Sequence, residues 1–126
     1  MKTLRASLAA LAVLFLVSCA GIAPGHDPVV VNAERTTVLA LDAVDTFLLW
    51  EFENRAALAA VPEIRERADY LRRHAPEWFA TARDVTRAYK QNRTAANKVN
   101  LDTVIAILKR AVAEANQYLP ANLQKK

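Results

Sequence analysis

From Val30 onward the apolar side chains recur at intervals of three and four residues, the repeat of an amphipathic α-helix and not of a strand. Three such stretches are separated by proline or by short polar runs. The first predicts a helix from about Val30 to Leu58. Asn32 is a candidate N-cap, and Asp27-Pro28 offers an earlier start. Its apolar row runs through Val38, Leu41, Val44, Leu48 and Phe52, with Leu39, Phe47, Leu49 and Trp50 widening it. The run Phe47-Leu48-Leu49-Trp50 is apolar all round, which implies contacts on more than one side. The second stretch starts at Pro62, a residue suited to a first helical turn, with Glu63 and Glu66 near the positive helix end. Ile64, Ala68, Leu71, Ala75, Trp78, Ala82, Val85 and Tyr89 form one unbroken row with heptad-like spacing. Pro76 lies inside that row. It removes one backbone hydrogen bond and crowds the carbonyl four residues back, so the second helix should be kinked, with a break as the alternative. The third helix should run from Thr94 or Ala95 to Leu119 and stop at Pro120. Its row is Leu101, Val104, Leu108, Ala111, Ala115 and Tyr118, thickened by Val99, Ile105 and Val112.

These elements predict an all-α protein, a three-helix antiparallel bundle with a kinked or broken second helix. Helices of about 25 residues are roughly 37 Å long, and loops at 59–62 and 92–94 are short enough to fold them back on one another. The bundle is assigned to 29–120. Residues 121–126 are expected to be a frayed, flexible tail.

The N-terminal segment is built differently. Lys2 and Arg5 precede the apolar run Leu8–Val17, which has the length of a signal-peptide core and falls short of the roughly 20 residues a membrane span needs. Leu16-Val17-Ser18-Cys19 then resembles the lipobox of bacterial lipoproteins. That resemblance covers about twenty residues. It implies a signal peptide over 1–18, cleavage before Cys19, and acylation of Cys19 by fatty chains such as palmitate. In enterobacterial lipoproteins an aspartate after the cysteine retains the protein at the inner membrane, so Ala20 implies the periplasmic face of the outer membrane. Residues 19–28, with Gly21, Pro24, Gly25 and Pro28, read as a short irregular tether. Nine residues reach at most roughly 30 Å, which keeps the domain close to the lipid headgroups.

Cys19 is the only cysteine, so no internal disulfide forms, and acylation would consume its sulfur. Cleavage would remove two cations and leave 15 Lys and Arg against 13 Asp and Glu. So small an excess gives no reason to expect a nucleic-acid partner.

Candidate chemistry is sparse. The two serines, Ser7 and Ser18, lie in the signal peptide, so the mature chain lacks the usual hydroxyl and thiol nucleophiles of acyl transfer. Both glycines are in the tether, which leaves the bundle without a glycine-rich phosphate loop. His26 and His74 are 48 residues apart and share no ligand spacing, so no metal or cofactor is expected. Asp42 and Asp45 share one side of the first helix, while Glu51 and Glu53 flank Phe52 and point apart. A glycosidase needs two carboxyls facing each other across a cleft, for which a bare bundle has little room. The carboxylate of most interest is Asp45, expected to be partly buried against Arg72 or Arg83 as a packing-specificity device. The row Arg65, Arg67, Arg72, Arg73, Arg83 and Arg87 could meet anionic headgroups, although interleaved acids make it read as a solvated face.

The expected function is therefore non-catalytic: a membrane-anchored envelope lipoprotein that binds lipid through Cys19 and another envelope protein through a helical face. One alternative is a phage- or prophage-type envelope lipoprotein acting in infection exclusion or lysis. Another rests on Lys126. A small helical lipoprotein with a terminal lysine resembles, in outline, the murein lipoproteins of enterobacteria, whose last lysine is joined to peptidoglycan. Those form one long continuous helix, whereas Pro62 and Pro120 break this chain.

Overall fold

The computed structural model describes residues 26–126. The segment expected to be a signal peptide, Cys19 and most of the expected tether lie outside the described residues. Three helices, α1 (Pro28–Glu53), α2 (Pro62–Gln91) and α3 (Ala95–Tyr118), account for most of the chain, with a 3₁₀ turn at Ala57–Ala60 between the first two. There is no strand among the described residues. The all-α three-helix bundle expected from the periodicity is the fold observed.

Local chemistry sets each helix end. Asp27 caps α1: its Oδ1 accepts from the Val29 N–H at 2.8 Å, and Pro28 fills the first turn, where a missing N–H costs nothing. The earlier of the two starts is thus the real one, and Asn32 lies inside the helix. At the other end the Asn54 backbone N–H and its Nδ2 both donate to the Trp50 carbonyl, which closes α1 five residues short of Leu58. Thr94 caps α3 by accepting from Asn97 N–H at 3.2 Å, while Asn97 Nδ2 donates back to the Asn92 carbonyl at 2.7 Å. Proline 62 opens α2 with no side-chain cap before it.

α2 runs through Pro76 without a break. Pro76 is on the exposed side, so its ring meets solvent, while Ala75 and Leu71 beside it stay in the core.

The core falls into two clusters, one toward each end of the bundle. One joins Val44 and Phe47 of α1, Ile64, Ala68, Leu71 and Ala75 of α2, and Ala111, Ala115 and Leu119 at the end of the chain. The other joins Val30, Ala33 and Ala40 to Ala82 and Tyr89, and to Leu101, Val104, Ile105 and Leu108. The early half of α1 therefore meets the late half of α2 and the early half of α3, which makes the topology up-down-up. Trp78, Phe79 and Val112 pack against both clusters and join them.

The expected rows of α2 and α3 match the buried ones closely. Trp78, Val85 and Tyr118 are half-buried, and Val99 is out in solvent. The expected row of α1 is rotated. Its buried positions are Val30, Ala33, Thr36, Ala40, Ala43, Val44, Phe47 and Glu51. Val38, Leu41 and Phe52 face outward instead. Alanine allows backbones to approach closely, so α1 presents its small residues to two neighbours and leaves larger ones outside.

The tail corrects a second expectation. Residues 121–126 are folded back onto the end of α3. Asn116 Nδ2 donates to the Lys125 carbonyl at 2.7 Å, and Lys125 N–H donates to Asn116 Oδ1 at 2.9 Å. Gln124 Nε2 donates to the carbonyls of Asn116 and Leu119, Leu123 packs on the core, and Lys125 Nζ reaches Asp42 at 3.0 Å. Four polar groups of the tail thus find partners that a frayed end would leave to water.

Candidate functional site

The carboxylate buried against Arg72 is Glu51, not Asp45. Asp45 is exposed and makes no ion pair among the described residues. Glu51 follows Phe47 by one helical turn and takes its place on the inner row of α1, where only 1% of its surface remains accessible. Its two oxygens are fully engaged. Arg55, one turn later, donates from Nε to Oε1 at 3.0 Å and from a second nitrogen to Oε2 at 3.1 Å, the bidentate fork that matches a carboxylate. Arg72 crosses from α2 to Oε2, and its other nitrogen donates to Asp69 at 2.8 Å. The Arg55 hydrogen bonds hold the Glu51 carboxyl below the usual carboxylate range; burial opposes this, and the hydrogen bond and charge of Arg72 reinforce it. A buried carboxylate that accepts three hydrogen bonds from two guanidinium groups is a poor base and a poor nucleophile. It ties α1 to α2.

The remaining acids disperse. Asp42 pairs with Lys125, and Glu53 points into solvent. His26 is exposed at the start of the described chain. His74 lies in an aromatic column on α2, with its ring 4.4 Å from Tyr70 and 6.1 Å from Trp78, the latter nearly parallel at 18°. Arg67 extends the column over Tyr70 and pairs with Glu114 of α3 at 3.2 Å. Among the described residues no three His, Cys, Asp or Glu side chains gather as a metal site would need, and no helix is long and apolar enough to cross a membrane.

The surface carries the more informative feature. Val38, Leu41, Leu49 and Phe52 are 67%, 46%, 58% and 63% exposed, and successive steps of three or four residues place them on one outer stripe of α1. Asp45 lies on the same stripe, between Leu41 and Leu49. The stripe borders a groove of about 360 Å³ between α1 and α2, lined by Leu41, Asp45 and Leu48 on one side and by Leu71, Arg72, Pro76 and Phe79 on the other. The all-round apolar run at 47–50 is thereby resolved: Phe47 faces the core and Leu49 the outside, with Leu48 and Trp50 half-buried between them.

A second groove, about 330 Å³, lies between the first half of α1 and the last two turns of α2, where Arg83, Arg87 and Lys90 gather beside Glu34. Of the two arginines expected beside a carboxylate, Arg72 takes that role and Arg83 lines this groove. Sequence periodicity missed Glu51 because an acid on an apolar row is discounted. The available signal was its position four residues after Phe47 and four before Arg55.

No family model, curated protein or solved structure matches this chain.

Proposed function

We propose that this protein is an envelope lipoprotein, anchored through acylated Cys19, that acts without catalysis by presenting the outer face of α1 to a partner helix. The lipobox-like Leu16-Val17-Ser18-Cys19 supports the anchor, and Ala20 supports the outer membrane. The observation that carries the interaction role is the stripe Val38, Leu41, Leu49 and Phe52. Single exposed apolar residues are ordinary, but four in register on one helix face, beside an apolar groove, mark a docking surface.

Asp45 specifies the partner's chemistry. An apolar helix laid along the stripe would desolvate this carboxylate, so it must bring a Lys or Arg to meet it. A second copy of this chain does not supply one: two-fold pairing about the middle of the stripe sets Asp45 against its own symmetry mate. The partner is therefore an amphipathic helix of another envelope protein, with apolar residues on either side of a cation.

The test places a photo-crosslinking amino acid at Val38 or Phe52 of the full chain in living cells. A single protein adduct of defined mass is expected, abolished by Asp45→Lys and unaffected by Arg65→Gln, an exposed residue of α2 outside the groove. Adducts with lipid alone, with a second copy, or with nothing would overturn the docking role. Metabolic labelling with a fatty-acid analogue tests the anchor separately. Cys19→Ala should abolish the label, and label that persists would overturn that part.

A further inference from the structure

We infer that the basic groove between α1 and α2 binds the phosphate of an anionic phospholipid headgroup. The inference deepens the lipid-anchored reading and rests on it for the source of the phosphate.

Arg83, Arg87 and Lys90 are spaced four and three residues apart, so they stand in one row on the last two turns of α2. They edge a groove of about 330 Å³ whose other wall is Glu34 and Thr37 of α1, with the small side chain of Ala82 keeping it open at its base. Lys90 spends part of its charge on Glu34, and Arg87 is 3.5 Å from Asp84 in an exposed pair that is worth little. Arg83 has no ion-pair partner among the described residues. One guanidinium is thus available, a second is loosely held, and an ammonium stands beside them. Guanidinium forks match phosphate oxygens in pairs, which an ammonium alone cannot do.

Position supplies the source. The groove is at the end of the bundle where the chain enters. Asp27 caps α1 there and also accepts an ion pair from Arg93 at 3.3 Å, so the entry point is fixed beside the α2–α3 loop. Glu34 is seven residues farther on, about 10 Å along the helix. Cys19 is eight residues before Asp27, a reach of at most roughly 29 Å. Charge is biased the same way. Residues 26–40 and 78–106, which form this end, carry six Lys and Arg against four Asp and Glu, whereas the remaining described residues carry nine of each. An acylated Cys19 would therefore hold a net-positive end, with its basic groove, against the headgroup layer.

The experiment follows thermal unfolding of the full chain in neutral detergent micelles, to which phosphatidylglycerol, phosphatidylcholine or inorganic phosphate is added. Micelles accept acylated and unacylated chains alike, so the groove is tested whether or not Cys19 carries lipid. Acyl labelling of the same preparation reports on the anchor independently. Phosphatidylglycerol should raise the melting temperature, phosphatidylcholine should not, and the rise should shrink as salt is added. The double variant Arg83→Gln/Arg87→Gln should weaken the lipid's half-saturating concentration at least five-fold, since each cation near an anionic surface contributes a factor of about five. Arg65→Gln/Arg73→Gln, an equal charge loss on exposed residues at the far end of α2, should leave it unchanged. An equal rise with inorganic phosphate would overturn the lipid source, and equal weakening by both double variants would overturn the groove. A lipid response that survives when the acyl label is absent would retain the groove and remove the anchor.

Discussion

Glu51 shows how much one side chain depends on its neighbours. Both its oxygens are occupied by guanidinium groups, one from the turn after α1 and one from α2, and its carboxyl is held below the ordinary value of 4.5, first by Arg55 and then by Arg72. A carboxylate whose folded pKa is depressed stabilises the protein at pH above its unfolded value, and that contribution disappears as pH falls through the folded one. Acid unfolding should therefore be shallower in Glu51→Gln than in the unsubstituted chain below about pH 4.5, as read from urea midpoints across that range. Arg72→Ala leaves Oε2 with Arg55 alone and should cost about 1–3 kcal/mol at neutral pH. The same variant should move the Glu51 titration, followed by NMR, upward. An unmoved titration would show that Arg55 alone sets it. In the sequence the right arginine was legible and the right acid was not. Arg72 follows the inner row of α2, which the periodicity traces well, whereas identifying Glu51 requires the rotation of α1, and its bulky residues disguise that rotation.

At the scale of the helix, α2 and α3 were readable because each has its large apolar residues on the side that packs. α1 has its large residues on two sides. Ala33, Ala40 and Ala43 form the seam against its neighbours, and hydrophobicity weights alanine too lightly to point inward. Val38, Leu41 and Phe52 were therefore expected inside. What obscured the core is the same feature that makes α1 a docking candidate. The proline of α2 was also legible in part, since the helix passes through it. Because Pro76 is exposed, replacing it with alanine restores a backbone hydrogen bond without disturbing buried contacts. Pro76→Ala should raise stability by about 1–2 kcal/mol, less than the roughly 3 kcal/mol propensity difference because the unfolded chain also gains freedom. A fall in melting temperature would show that the bundle is built around a bend at this point.

For the molecule as a whole, the C-terminal end of the chain is treated differently from expectation. As a chain terminus beyond Pro120, 121–126 reads as a frayed tail. Its order comes from Asn116 acting as donor and acceptor together, an arrangement no local pattern encodes. Asn116→Ala should free the tail, speed trypsin cleavage after Lys125 markedly, and lower stability by about 1–2 kcal/mol. The tail also bears on the likeness to murein lipoproteins. Lys125 is committed to Asp42, so Lys126 alone could join peptidoglycan, with no slack chain before it. Sacculi boiled in detergent should release none of this protein on muramidase digestion, and a released form would restore that alternative.

Asp27 makes the start of the bundle a mechanical junction. One of its carboxylate oxygens holds the first turn of α1 and the other holds Arg93, which belongs to the loop between α2 and α3. Tension arriving along the chain from residue 26 is therefore divided between two distant parts of the sequence before α1 can unwind turn by turn. A chain pulled from its N-terminus should yield abruptly at one force, and Asp27→Ala should lower that force and replace the single event with gradual peeling of α1. Pulled from Lys126, the same variant should yield as the parent does, because that load enters through Asn116 and Asp42 at the opposite end.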